Sequence, residues 1–251
     1  MRFVTSFLFA VVPLFAQSMF AQTTVQVAYD CPPADAENFG LNCSEDQPCP
    51  VFLELASAGA AGERLFVAGN LHTSDTTLFS LLLASEDAGL TWTEPSQRLQ
   101  NAALEQIEFL DAQTGWVSGE SIDPLTRNPF LMVTADGGKT WKQKLLFEEI
   151  RYGTISQFHF TTKTDGELLL DTTQGKTKRV ETYVSHTAGE SWELQGVSAA
   201  ARLSSAPRPP DLRVRADAAS AAYRLERAAT KNNARVWESV ATFAIHVTDC
   251  R

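Results

Sequence analysis

Four of the five tryptophans recur at nearly constant spacing, and this feature constrains the fold more than any other. Trp92, Trp141, Trp192 and Trp237 are separated by 49, 51 and 45 residues. Self-similarity with a period of about 20–50 residues is typical of repeat proteins, in which each repeat is one supersecondary unit. The sequence therefore predicts an array of similar units, one for each of these tryptophans.

A short sequence pattern ends at each of these tryptophans. The sequence at 85–92 is SEDAGLTW and that at 134–141 is TADGGKTW, so both fit Ser/Thr-x-Asp-x-Gly-x-Thr-Trp. A short carboxylate can accept hydrogen bonds from its own loop, glycine supplies a backbone angle that other residues resist, and tryptophan covers the turn. We therefore predict a hairpin turn at each pattern. Thr187 and Asn232 replace the aspartate in the third and fourth patterns, so we expect those two turns to be held less firmly.

The pattern resembles the Asp-box, or bacterial neuraminidase repeat, of sialidases and many other β-propellers. The resemblance implies a structural role for the following residues: Ser85, Asp87, Gly89, Thr91, Trp92, Thr134, Asp136, Gly138, Thr140, Trp141, Ser185, Gly189, Ser191, Trp192 and Trp237. A second stretch, FLDAQTGWVSG at 109–119, is similar to a signature of propellers like the photosystem II assembly and stability factor. Because one fold hosts many functions, this second resemblance implies a propeller and not a photosynthetic role.

Strand-like runs surround each pattern. One run precedes each pattern, two further candidates lie upstream in the first three units, and another run follows the tryptophan. Four strands in a unit of about 50 residues are the composition of a propeller blade, with the Asp-box between its third and fourth strands. We therefore predict an all-β fold, a β-propeller of about four four-stranded blades with Asp-box hairpins. Four blades are few for a closed ring, so a small or incompletely closed array is the structural alternative.

The N-terminal residues have the layout of a secretory signal peptide. Arg2 precedes an apolar run at 7–16, and small residues follow near position 21. We expect residues 1–21 to be a signal peptide and residues 22–251 to form one propeller domain, with units at approximately 50–100, 101–150, 151–198 and 199–251. A Pro-, Ala- and Ser-rich stretch at 198–210 predicts a surface loop. We expect a secreted or periplasmic protein without a membrane span, since no later run approaches about 18 apolar residues.

The charge of the chain is negative and unevenly distributed. The formal net charge is −9, which argues against nucleic acid as a partner because phosphate binding needs a basic surface. Residues 22–125 carry 16 acidic and two basic side chains, whereas residues 199–251 carry nine basic and five acidic ones. This asymmetry fits either a docking surface or two halves that pack together.

Four cysteines predict two structural disulfides in an oxidising compartment, with three possible connectivities. The runs at 25–31 and 244–250 are both strand-like and both end in Asp-Cys. We therefore favour a bond from Cys31 to Cys250 that joins the two ends of the domain, and a second bond from Cys43 to Cys49 that closes a small loop. Pairing of Cys250 with Cys43 or Cys49 is the alternative. The histidines are scattered, and we expect no metal and no cofactor.

The pattern residues do not form a catalytic constellation. A sialidase needs an arginine cluster, a tyrosine nucleophile paired with a glutamate, and an acid/base aspartate, whereas the hairpin turns already explain Asp87 and Asp136. We expect a non-catalytic protein-binding or assembly scaffold with a protein or glycan partner; the alternatives are a glycan-binding module and a sialidase-like glycosidase. Trp116 is the only tryptophan outside a pattern. It is a candidate ligand contact, although its place in a strand favours core packing.

Overall fold

A computed structural model describes residues 24–44, 46–122, 127–205, 207 and 210–247. In chain order the elements are β1 (Thr24–Tyr29), α1 (Pro33–Asn38), β2 (Phe52–Ala61), β3 (Arg64–His72), β4 (Thr77–Ser85), β5 (Ala102–Phe109), β6 (Gly115–Ser121), β7 (Asn128–Thr134), β8 (Lys142–Leu145), β9 (Thr154–Phe160), β10 (Gly166–Asp171), β11 (Val180–Ser185), β12 (Glu193–Ser198), β13 (Leu212–Asp217), β14 (Ala222–Lys231) and β15 (Ala234–Val247). The predicted signal peptide at 1–21 lies outside the described residues. Within them, no helix is both long enough and apolar enough to span a membrane.

The strands form four sheets that follow one another along the chain. The first sheet has the order β2-β3-β4, the second β5-β6-β7-β8, the third β9-β10-β11-β12 and the fourth β13-β14-β15-β1. All pairings are antiparallel except that of β1 with β15. The predicted fold class is confirmed: the protein is all-β and its sheets are arranged as the blades of a propeller. Among the described residues, no backbone hydrogen-bond ladder between sheets closes the ring.

The first sheet has three regular strands instead of the four expected. The segment after β4 follows its outer edge only in part, with hydrogen bonds from Ser80 N to Leu99 O (2.9 Å) and from Ala84 N to Thr93 O (2.8 Å). Pro95 lies between these two contacts, and a proline cannot donate to a β-ladder. The fourth strand of this sheet is therefore reduced to two isolated bridges.

The two ends of the described chain meet in the fourth sheet. β1 pairs in parallel with the end of β15, from Thr24 opposite Thr242 to Tyr29 opposite Val247. This pairing brings the two ends of the domain together, as the favoured bond from Cys31 to Cys250 requires. A disulfide joins Cys43 to Cys49, with their Cα atoms 5.2 Å apart. Cys250 lies outside the described residues, so its bond to Cys31 stays a prediction.

The apolar core of the described chain is divided among three interfaces between successive sheets. One cluster joins the fourth sheet to the first and includes Leu55 and Phe243. A second joins the first and second sheets around Phe66, and a third joins the second and third around Phe158. The described residues show no such cluster between the third and fourth sheets. The connecting segment runs there instead, and the backbone amide of its Ser204 donates to Glu167 Oε2 at 2.6 Å.

Candidate functional site

The turns that follow the third strand of the first three sheets share one geometry; we call them the Trp turns (85–92, 134–141 and 185–192). In the first, Asp87 accepts hydrogen bonds from the Thr91 amide (2.8 Å) and hydroxyl (2.6 Å). Ser85 Oγ accepts from the Gly89 amide at 2.8 Å, and Trp92 Nε1 donates to Gly89 O at 3.0 Å. Gly89 has a φ of 100°, which side chains resist. The polar side chains at the fixed positions of the pattern are thus engaged within the turn itself.

The second Trp turn repeats these contacts. Asp136 accepts from the Thr140 amide (2.9 Å) and hydroxyl (2.6 Å), Thr134 Oγ1 accepts from the Gly138 amide (2.9 Å), and Trp141 Nε1 donates to Gly138 O (3.1 Å). Hydrogen bonds from the threonine hydroxyl and amide lower the pKa of Asp136 to about 2. A carboxylate held in its charged form by its own turn has a structural explanation and does not need a catalytic one.

The third Trp turn keeps the geometry without a carboxylate. Thr187 Oγ1 accepts from the Ser191 amide at 2.9 Å and shares a second contact of 2.9 Å with the Ser191 hydroxyl. Ser185 Oγ accepts from the Gly189 amide at 2.9 Å, and Trp192 Nε1 donates to Gly189 O at 3.2 Å. One hydroxyl oxygen therefore serves both partners that two carboxylate oxygens serve in the other turns.

The fourth pattern, at 230–237, does not form a corresponding turn, so this expectation was wrong. It lies between β14 and β15, which are the second and third strands of their sheet. Asn232 and Asn233 have φ values of 50° and 60°, as a two-residue hairpin turn requires, and asparagine tolerates these angles well. Trp237 is placed within β15 instead, with the Arg213 guanidinium 4.1 Å from the centre of its ring.

Trp116 is a core residue, which corrects its interpretation as a candidate ligand contact. Its side chain is fully buried. The indole stacks in parallel on Phe160 at a centroid distance of 3.7 Å, and Nε1 donates to Ala188 O at 3.3 Å. It therefore packs the second sheet against the third.

The innermost strands of all four sheets line a single cleft, which we call the axial cleft. Its volume is about 570 Å³, and its walls are formed by residues 56–60 of β2, residues 106–110 around the end of β5, residues 159–160 of β9, and residues 207 and 210–214 at and before β13. Most of the lining is small or aliphatic. Because four strands distant in sequence contribute, the cleft exists only once the sheets have assembled.

Side chains of β5 satisfy the free backbone edge of β9 beside this cleft. Gln106 Nε2 donates to Phe158 O at 3.0 Å, and Gln106 Oε1 accepts from the Phe158 amide at 3.3 Å. Two residues further along both strands, Glu108 Oε1 accepts from the Phe160 amide at 3.1 Å. Residues at i and i+2 share one face of a strand, so Gln106 and Glu108 can both reach the backbone of β9. The cleft wall is therefore joined across two sheets without a continuous ladder.

Glu108 and His159 form the main ionisable pair in the cleft. Glu108 Oε1 lies 2.8 Å from His159 Nδ1, and both side chains are largely buried. Burial raises the pKa of Glu108, while the Phe160 amide and His159 act in the opposite sense. Glu108 Oε2 is buried without a hydrogen-bond partner. No local feature of the sequence indicates this pair, because the two residues lie on different innermost strands.

Acidic side chains gather beside the cleft-lining parts of β2 and β5. Burial, with the nearby charges of Glu120 and Glu54, raises the pKa of Glu105, and Arg127 acts in the opposite sense. Thr154 links Arg127 to one of these acidic side chains, because Arg127 Nη1 donates to the Thr154 hydroxyl at 3.0 Å and this hydroxyl donates to Glu120 at 2.8 Å. The surroundings of Glu105 are therefore acidic. The hydrogen bond from Thr154 to Glu120 also joins the third sheet to the second.

Comparison with known proteins gives distant structural likenesses. No protein-family model and no curated protein sequence matches the chain. The structure is similar to that of YCF48 bound to D1 peptide, with a TM-score of 0.43 and 15% identity over 76% of this chain and 56% of YCF48. It is also similar to the α-L-arabinanase of Penicillium chrysogenum complexed with arabinobiose (TM-score 0.38, 14% identity, 79% and 63% of the two chains). A third likeness is to the α-L-arabinofuranosidase Arb93A of Fusarium graminearum in complex with an iminosugar inhibitor (0.40, 13%, 87% and 66%). The chain spans less than two thirds of each of these three proteins.

Proposed function

We propose that this protein is an exported, non-catalytic Asp-box propeller that binds a partner protein, and that the axial cleft receives an extended segment of that partner. In this proposal residues 1–21 direct export and residues 22–251 form the binding domain. The observation that carries the proposal is the convergence of four innermost strands on one open cleft of about 570 Å³. Pockets of roughly 300–1,000 Å³ usually hold small ligands, so a cleft of this volume would receive only a short part of the partner's segment.

The lining of the cleft suits a polypeptide. Ala56 and Ala60 are exposed on the cleft wall, and side chains this small let a main chain approach closely. Glu108, His159 and Arg213 supply acceptors and donors along a wall that is mostly small or aliphatic. A mainly apolar surface with a few fixed polar groups is typical of sites that orient their ligand.

The same lining fits a glycan ligand less well than it fits a polypeptide. Sugar-binding sites commonly present an open aromatic face, and among the described lining residues the aromatic rings are His159, Phe109 and Phe160. Phe160 is fully buried, and Phe109 packs against Trp141 at a ring distance of 5.9 Å. His159 is held by Glu108.

A glycosidase mechanism of the sialidase type would need an activated tyrosine. The described chain does contain a tyrosine–glutamate pair, since the Tyr183 hydroxyl donates to Glu181 Oε2 at 2.7 Å. Burial and this hydrogen bond raise the pKa of Tyr183 to about 12, and its side chain is almost inaccessible. A buried phenol with a raised pKa is a poor nucleophile at neutral pH.

The test is capture of partners by variants with an open or a filled cleft. Ala60→Trp fills the cleft from an exposed position, whereas Ala219→Trp makes the same change in the exposed turn between β13 and β14. Each tagged variant is incubated with proteins of the native extracellular or periplasmic fraction and with a glycan array. We expect Ala60→Trp to lose a protein that both the wild type and Ala219→Trp retain.

Two results would contradict the proposal. Equal capture by both variants would place protein binding outside the cleft. Saturable glycan binding that Ala60→Trp alone abolishes would support the glycan-binding alternative instead. Circular dichroism of both variants checks that the fold is unchanged.

A further inference from the structure

We infer that a second site, on the third sheet and separate from the axial cleft, binds a small oxyanion, a carboxylate or a phosphate group, between Arg151 and Arg179. An open cavity of about 600 Å³ lies at this position. Arg151 and Tyr152 line it from the segment between β8 and β9, and the hairpin that joins β10 to β11 forms the opposite wall.

A buried carboxylate fixes both guanidinium groups. Glu181 Oε1 accepts from Arg179 Nη2 at 2.7 Å and from Arg179 Nε at 3.2 Å, while Oε2 accepts from Arg151 Nη2 at 2.8 Å. The Glu181 side chain is 2% exposed, whereas those of Arg151 and Arg179 are 41% and 50% exposed. Both arginines are therefore anchored at one end and open to solvent at the other.

The charge of this group is positive. Although burial raises the pKa of Glu181, the hydrogen bond from Tyr183 and the two arginines outweigh it and hold this pKa below its usual value. One ionised carboxylate between two guanidinium groups leaves an excess of one positive charge. Glu181 already holds the two guanidinium groups close together in the free protein. A ligand therefore does not lose binding free energy in ordering them.

The guanidinium groups retain unused donors. A guanidinium has five N–H groups in a planar fork, and the contacts to Glu181 use two from Arg179 and one from Arg151. The remaining N–H groups suit the paired oxygens of a carboxylate or phosphate. Arg151 is also held against the ring of Phe147, 4.9 Å from its centre. Its orientation is therefore limited before any ligand arrives.

Three neutral side chains add to this lining. Tyr152, Gln174 and Thr177 all line the cavity, and none of the three has a side-chain hydrogen-bond partner among the described residues of the chain. Each can donate a hydrogen bond to an oxygen atom. The same hairpin also carries Lys176 and Lys178, and although Asp171 offsets part of the charge by its interaction with Lys178, the hairpin stays positive. Gln174 and Thr177 are exposed, so their donors are open to a ligand that enters the cavity.

The experiment is a titration of the full-length mature protein at constant ionic strength. Disodium succinate and inorganic phosphate are the anionic probes, and succinamide is the uncharged control for succinate. We expect saturable binding of at least one anion and none of succinamide, measured by calorimetry and by the NMR shifts of the arginine side chains. Tighter binding of succinate identifies a carboxylate ligand, and tighter binding of phosphate a phosphoryl ligand.

Matched arginine variants locate the binding. Arg179→Gln leaves Arg151 and Tyr183 on Glu181, so the fold has two remaining anchors there. It should weaken anion binding by about tenfold or more, the usual effect of losing a charged hydrogen-bond donor. Arg215→Gln, at an exposed position of β13 outside the cavity, should leave the affinity unchanged. Arg179→Lys should give an intermediate affinity because it keeps the charge and loses the fork.

The inference is overturned if the wild type shows no saturable binding of either anion at concentrations up to about 10 mM. A dissociation constant above this value is too weak to indicate a built site. It is also overturned if Arg179→Gln and Arg215→Gln bind the anion equally. Thermal melting of both variants verifies that they are folded at the temperature of the titration.

Discussion

Glu108 and His159 join the second and third sheets at the axial cleft, with Glu108 Oε1 2.8 Å from His159 Nδ1. The same oxygen accepts the Phe160 amide at 3.1 Å, while Oε2 is buried without a partner. A buried oxygen that lacks a donor has lost its hydration without replacement. The pair therefore links the two sheets through Oε1, while the unpaired Oε2 lowers the stability of the folded protein.

Glu108→Gln should make the free energy of unfolding less sensitive to rising pH. Burial raises the pKa of Glu108 in the folded protein, so the contribution of this group to stability is present at low pH and is lost as the pH rises above its usual value of 4.5. Glutamine keeps an acceptor for the Phe160 amide and does not ionise. Urea titrations at several pH values measure the difference. Glu149→Gln, at an exposed position, is the control and should follow the wild type; the same pH dependence in both variants would contradict the prediction.

Trp116 and Trp237 should differ strongly in their contributions to stability. Trp116→Ala removes a fully buried indole that stacks on Phe160, and we expect a loss of about 3–5 kcal/mol in the free energy of unfolding. Trp237 is only partly buried, and Trp237→Ala should cost no more than about 2 kcal/mol. Denaturant titration of both variants ranks them. Equal losses would mean that Trp237 has a core role that its contacts do not show.

Thr187→Asp should stabilise the third Trp turn by about 0.5–1 kcal/mol, because two charged oxygens would replace the single hydroxyl that now serves Ser191. Asp136→Thr is the reciprocal change in the second turn and should destabilise it by a similar amount. The turn holds the pKa of Asp136 at about 2, below its usual 3.8, so a carboxylate here stabilises above pH 3.8 and loses this effect as the pH falls toward 2. The gain in Thr187→Asp should therefore disappear in acid. A gain that persists at pH 2 would show that charge is not its cause.

Peptide mapping without reduction should recover Cys31 linked to Cys250. The parallel pairing of β1 with β15 brings the residues before Cys31 alongside the end of the described chain. This bond would close a loop that contains nearly the whole domain. In the chain-entropy model such a bond raises the free energy of unfolding by roughly 5 kcal/mol, so Cys250→Ser should lower the midpoint of thermal unfolding. Recovery of Cys250 linked to Cys43 or Cys49, or as a free thiol, would contradict this connectivity.

Much of the fold could be predicted from the sequence, but little of the two candidate sites could. The Trp turns could be predicted because Asp87, Thr91 and their counterparts interact within a few residues of the chain. Of the fixed positions, the fourth pattern keeps only Thr230 and Trp237, and its two asparagines favour a different hairpin. Local sequence therefore predicted a structure where the determining contacts were themselves local.

The axial cleft and the arginine pair depend on contacts between distant segments. Glu108 and His159 are 51 residues apart, and Arg151 is 30 residues from Glu181. Their partners are set by how the sheets stack and by the path of the connecting segments, which the strand pattern does not specify. The reduced outer edge of the first sheet could have been foreseen from Pro95.

The parallel pairing of β1 with β15 determines when the domain can finish folding. Thr24 is among the earliest residues of the domain to be synthesised, and its partner Thr242 is among the last. The first three sheets can each form from neighbouring stretches of chain, whereas β1 must wait as an unpaired strand until nearly the whole polypeptide is present. Contacts of such large sequence separation form slowly, and an unpaired strand is prone to misassociation while it waits. A chain truncated before β15 would leave β1 in that exposed state permanently, and such a fragment should aggregate.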